Sequence, residues 1–154
     1  MKPLFIILTI AATAFSSASN ANSTNPKPIE PRVAPSVIKS FENTFTSVQD
    51  VDWTVSNNFY KVEFAMSGQY VTAFYGTDGS LLGVTRNMSS LQLPLTLQTE
   101  LKKNYQDYWI TDLFEISNDE GTSYYVTLEN SETKIVLKGS AGSSWNTYQK
   151  SRKA

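Results

Sequence analysis

Tyr60-Lys61-Val62-Glu63-Phe64 occurs a second time in altered form, as Tyr124-Tyr125-Val126-Thr127-Leu128. In each run one phase of a period-two alternation is apolar or aromatic, the pattern of a strand with one buried face. The surroundings are repeated as well. Val37, Phe41, Phe45 and Val48 precede the first run at helical spacing, and Leu97, Leu101, Tyr105 and Tyr108 precede the second. Gly76-Thr77-Asp78-Gly79 follows the first, and Gly139-Ser140-Ala141-Gly142 follows the second. Corresponding residues lie roughly 60 to 64 positions apart, so the chain carries one design twice.

The turn signals between these landmarks divide each copy in the same way. The first copy reads as a helix from about Ala34 to Thr46, with Pro35 in its first turn, where a missing N–H is harmless. Strands follow at Val51–Val55, Phe59–Met66, Tyr70–Tyr75 and Leu81–Met88. Pro94 opens the second helix, which runs through Leu97, Leu101, Tyr105 and Tyr108, with Lys102 and Lys103 near its end. Its strands are expected at Ile110–Ser117, Thr122–Glu129, Thr133–Lys138 and Ser143–Tyr148. The predicted class is α+β: two tandem helix-plus-antiparallel-strand repeats forming one curved antiparallel sheet, both helices packed on one face.

Alternation then sorts residues by face. Tyr60, Val62, Phe64, Val71, Ala73 and their counterparts Tyr124, Val126, Leu128, Ile135 and Leu137 are assigned to the helix-covered core. The opposite phase mixes charge with aromatics. It holds Phe59, Tyr70, Phe74 and Tyr125, the candidate partner-binding residues, because aromatic side chains act as rigid anchors at interfaces. The competing reading is that aromatics simply favour strands and pair across them. Trp145 and Tyr148 fit either an edge anchor or a core plug.

The ends and the composition narrow the setting. Met1-Lys2-Pro3, the apolar Leu4–Ala12 stretch and Ser19-Asn20-Ala21 have the layout of a cleaved signal peptide over residues 1–21. Residues 22–33, with Pro26, Pro28 and Pro31, read as a disordered Pro/Asn/Ser-rich leader. The domain is expected over 34–150, divided at about 34–90 and 91–150. A mature chain of about 130 residues is long enough for one core, and no transmembrane anchor is expected in it. The expected location is periplasmic or secreted.

Histidine and cysteine are both absent, and the formal net charge is −1. That composition removes Ser-His-Asp triads, Cys-His dyads and Cys/His zinc sites. It offers no basic patch for nucleic acid. Ser131-Glu132-Thr133-Lys134 sits in a hairpin instead of opening a helix, so it is not the Ser-x-x-Lys of penicillin-binding enzymes. Asp50 and Asp52 flank Val51 and can be drawn as an acid/base pair, but a turn cap at Asp50 and a solvated Asp52 are the plainer reading. Asn118-Asp119-Glu120-Gly121 and Thr77-Asp78-Gly79 offer oxygen ligands for calcium without matching the twelve-residue calcium loop, and hairpin turns use the same residues. No enzyme activity, cofactor or metal is expected.

Several of these residues together resemble the β-lactamase-inhibitor-like, PepSY-like family of secreted bacterial proteins. The likeness rests on Asp50-Val51-Asp52-Trp53, Tyr60 to Phe64, Ala73-Phe74-Tyr75 leading to Asp78-Gly79-Ser80-Leu81-Leu82, and Leu93-Pro94. It spans about Ala34 to Tyr148 and is clearer in the first copy. It implies two helix-plus-sheet units sharing one long curved sheet with the helices on the convex side. It does not imply β-lactamase inhibition, since fold does not fix function. The expected function is an exported, non-enzymatic binding module, an inhibitor or regulator of another exported protein or peptide, working through the sheet face opposite the helices. The alternative is a calcium- or peptide-sensing periplasmic protein.

Overall fold

The computed structural model describes residues 32–153. The signal peptide expected over 1–21 and nearly all of the 22–33 leader lie outside the described residues. Val33, at the leader's end, already packs against the first core.

Helix α1 (Pro35–Thr44) leads into β1 (Gln49–Val55), β2 (Phe59–Met66), β3 (Gln69–Gly76) and β4 (Leu81–Asn87). A single 3-10 turn (Ser90–Gln92) and α2 (Leu95–Asn104) begin the second copy. Strands β5 (Trp109–Asn118), β6 (Gly121–Glu129), β7 (Thr133–Ser140) and β8 (Asn146–Arg152) complete it. All eight strands form one sheet in sequence order, β1 to β8, and every neighbouring pair is antiparallel. The predicted α+β architecture is therefore the observed one. The duplication extends to irregularities: the ladder shifts between β1 and β2 and again between β5 and β6, then between β3 and β4 and again between β7 and β8. Each shift adds local bend and twist between equivalent strands of the two copies.

Both helices lie on one face, and the register shows why. Val62 pairs with Ala73 and Phe64 with Val71, while Leu113 pairs with Val126 and Leu128 with Ile135. Directly paired residues share a face, and Val84↔Ser117 and Arg86↔Glu115 carry that face across the junction of the two copies. Each copy keeps its own core. The first is aromatic: Phe41 meets Phe64 and Trp53 edge-on, at centroid distances of 5.1 and 5.4 Å. The second is mostly aliphatic, built from Leu97, Leu101, Leu113, Val126, Leu128, Ile135 and Leu137, with Trp145 over them.

Three local expectations need correction. Helix α2 ends at Asn104, so Tyr105 and Tyr108 pack against the core from the connection beyond it. The last strand begins at Asn146 and not at Ser143. Ser143 is occupied in closing the turn, its backbone N–H and its hydroxyl both donating to the Ser140 carbonyl, and Trp145 is drawn down onto α2 by its indole N–H bond to the Leu97 carbonyl (2.9 Å). Asp50 caps no turn. It lies within β1 at the ladder shift, with a left-handed backbone (φ 52°), a conformation that Asp tolerates better than most residues.

Candidate functional site

Among the described residues no helix packs on the second face of the sheet, and the structure places all four candidate residues there. Phe59 and Phe74 meet at 6.0 Å between centroids. Tyr70 stands apart from them on the same face of β3, and it is 73% exposed. Tyr125 belongs to a different group, lying parallel to Phe114 at 5.3 Å and edge-on to Tyr148 at 5.4 Å. The candidates thus form two clusters, one in each copy, with Tyr70 between them and the short side chains of Thr72, Thr85, Ile116 and Ser123 alongside.

Three further aromatics on this face were not among the candidates. Phe114 is placed by its pairing with Tyr125, a parity that the alternation Leu113-in, Phe114-out already encodes. Tyr148, 61% exposed, is an open-face residue, whereas Trp145, only 9% exposed, is the core plug. Trp109 lies beside Glu129 in the register, with the Lys153 ammonium 5.2 Å from its ring; no local pattern marks it, because the ladder shift after Ile110 resets the phase.

The charges on this face are unevenly spread. At the β7–β8 end Lys138 lies 5.5 Å over the Tyr125 ring, and Lys153 and Lys134 converge on Glu129 at 2.6 and 3.5 Å. The Lys153 contact, reinforced by the two positive charges, holds the Glu129 carboxyl below its ordinary range. At the β1–β2 end Asp52 and Glu63 face each other directly, and Lys61 reaches Glu63 at 2.9 Å.

The turn acids weighed above as oxygen ligands for calcium make local hydrogen bonds within their turns. Asp78 accepts hydrogen bonds from the Ser80 hydroxyl (2.7 Å) and N–H (3.0 Å), which lower its pKa. The Asn118 carboxamide oxygen accepts the Glu120 N–H at 3.0 Å, and Asp119 and Glu120 are exposed. Among the described residues no three His, Cys, Asp or Glu side chains come together in a metal-binding arrangement. Ser131 and Lys134 lie in the β6–β7 hairpin region, on opposite sides of the start of β7.

Comparison with solved structures gives the fold a name. A BLIP-like protein from Bacteroides fragilis superposes with a TM-score of 0.69 at 15% identity, over 80% of this chain and 89% of that one. The chain has the BLIP-like fold. A DUF2874 family protein from Bacteroides ovatus shares it (TM-score 0.68, 13% identity, 80% of this chain and 89% of that one). So does a proposed periplasmic protein from Bacteroides eggerthii (TM-score 0.67, 10% identity, 79% and 90%). No protein-family model and no curated protein matches the sequence. At these identities the BLIP-like likeness is one of architecture, and it agrees with the resemblance drawn from the motifs.

Proposed function

We propose that this chain is an exported, non-enzymatic binding module that recognises another exported protein or peptide through the sheet face opposite its helices. The observation that carries the reading is that face itself. No described helix covers it, and it presents two aromatic clusters, Phe59–Phe74 and Phe114–Tyr125–Tyr148. Aromatics at the centre of an otherwise polar surface are the usual anchors of protein recognition. The BLIP-like and periplasmic descriptions of the structural neighbours support the same reading, as does the absence of histidine and cysteine from the chain. No described helix is long and apolar enough to cross a membrane.

The rival surface is the exposed leucine pair at the start of α2, Leu91 and Leu95, which are 78% and 77% exposed. Affinity capture from the envelope fraction separates the two. The wild-type protein and a Leu91→Ala/Leu95→Ala variant are expected to retain the same species, and a Tyr70→Ala/Tyr125→Ala/Tyr148→Ala variant to lose it. Loss with the leucine variant, or retention with the tyrosine variant, overturns the assignment of the face.

A further inference from the structure

We infer that the open face holds a trough running across its strands, and that the trough takes one extended segment of the partner with a lysine or arginine at its β1 end. This rests on the proposed reading of the open face and adds the partner's chemistry and orientation.

The trough follows from the register. Asp52 pairs with Glu63, Glu63 with Thr72, Thr72 with Thr85, Thr85 with Ile116, Ile116 with Ser123 and Ser123 with Ser140. This unbroken row crosses seven strands on one face, a span of about 29 Å at the usual strand spacing. Beyond the two acids every side chain in it is short or β-branched. The neighbouring row on one side holds Tyr70, Phe114, Tyr125 and Lys138, and the row on the other side holds Lys61 and Phe74. That second row continues as Gly83, Asn118 and Gly121. The floor of small side chains is therefore walled on both sides at β2 and β3 and on one side beyond them, with length for an extended backbone of about nine residues.

The β1 end is a depression of about 580 Å³ lined by Asp50, Asp52, Glu63, Tyr70, Thr72 and Asn87, among others. Asp52 and Glu63 are directly opposed like charges, an arrangement that weakens a sheet. The second copy has no such pair: Asp112 there faces Thr127. Of the three carboxylates at this end only Glu63 has a salt-bridge partner among the described residues, Lys61. Arg86 also lines the depression, but its guanidinium is held by Glu115 and Gln69. An incoming ammonium or guanidinium relieves the repulsion and finds the exposed Tyr70 ring beside it. At the other end Lys138 lies over Tyr125 with no carboxylate within salt-bridge distance among the described residues. That end favours an acidic side chain, so the segment has a direction.

Amide NMR with two probes tests this. A short poly-arginine peptide is expected to shift Asp52, Glu63, Tyr70, Thr72 and Thr85 saturably, and a short poly-glutamate peptide to shift Tyr125, Lys138 and Tyr148. Asp52→Asn/Glu63→Gln should weaken the poly-arginine effect about tenfold, the loss of two partly exposed charge contacts, and spare the other. Lys138→Gln should do the reverse. Because the double variant removes a repulsion, it is expected to fold, and its melting curve checks this. Shifts scattered over Asp78, Asp119 and Glu120 as strongly as over Asp52 and Glu63, no shift at all, or an undiminished effect in the double variant would overturn the trough. A captured partner that depends on Tyr125 and Tyr148 but ignores the charge variants would leave the proposed function standing and the trough refuted.

Discussion

The indole of Trp145 lies directly over Gly139, so closely that a Cβ added to the glycine would come within 3.1 Å of Trp145 Cε3 and of Leu97 Cδ2. Gly139 faces Tyr124 in the register as Tyr75 faces Tyr60. Trp145 follows Leu81 by the same 64 positions that separate Gly139 from Tyr75. The two copies thus fill one site in opposite ways, with a large Tyr75 beside a smaller Leu81 in the first and a bare Gly139 beneath a large Trp145 in the second. The large side chain comes from β3 in the first copy and from the residue just before β8 in the second.

Replacing Trp145 with alanine should therefore cost about 3–5 kcal/mol, the range for a buried aromatic. Trp145→Phe keeps most of the packing but loses the N–H bond to Leu97, about 1 kcal/mol more than its volume change alone. Gly139→Ala should cost about 1–3 kcal/mol by overpacking. Urea unfolding followed by far-UV circular dichroism reads all three; a neutral Gly139→Ala would show that α2 is free to move away from the sheet.

Tyr75 has the converse problem. Its ring is fully buried, and its hydroxyl finds no hydrogen-bond partner among the described residues. Burial pushes its pKa up, drawn back in part by the Thr44 hydroxyl, which itself donates to the Ser40 carbonyl at 2.8 Å without reaching bonding geometry with the phenol. Tyr75→Phe is expected to leave stability unchanged or raise it by up to about 1 kcal/mol. A loss of that size in urea unfolding would mean that the hydroxyl is bonded after all.

Acid should weaken the sheet at Glu129. Lys153, then Lys134, hold its carboxyl below the ordinary value. A carboxyl depressed in the folded state contributes stability above its unfolded pKa and loses it as pH falls through the folded one. Wild type should therefore exceed Glu129→Gln in melting temperature at neutral pH. The gap should close as pH drops from about 5 to about 3. A gap independent of pH would assign the effect to packing.

The alternation in Tyr60–Phe64 and Tyr124–Leu128 made the architecture and the sorting of faces legible, because each strand carries its own parity. What escaped was set by contacts between distant segments. Trp145 delays β8 through its bond to Leu97, 48 residues away. The ladder shifts at Asp50 and Thr111 change phase without a glycine or proline to announce them. The candidate aromatics were individually on the right face, but their grouping depends on the registers between strands within each copy. Phe114 and Tyr148 meet Tyr125 only once the β5–β6, β6–β7 and β7–β8 registers are known.

That junction makes the last prediction. Arg86 and Glu115 are opposed on the helix face, between the two cores, and their side chains meet at 2.5 Å with Gln69 as a second acceptor for the guanidinium at 2.7 Å. Glu115 is only 17% exposed, so truncating its partner leaves a carboxylate poorly solvated. Arg86→Ala and Glu115→Ala should each cost about 1–3 kcal/mol. The double variant should lose less than the sum, with a coupling of about 0.5–1.5 kcal/mol in a double-mutant cycle. The pair sits where the two repeats share a ladder of four paired positions, Val84 to Asn87 against Ser117 to Phe114. Simple additivity would show that the junction is held by the backbone ladder alone and that the ion pair merely decorates it.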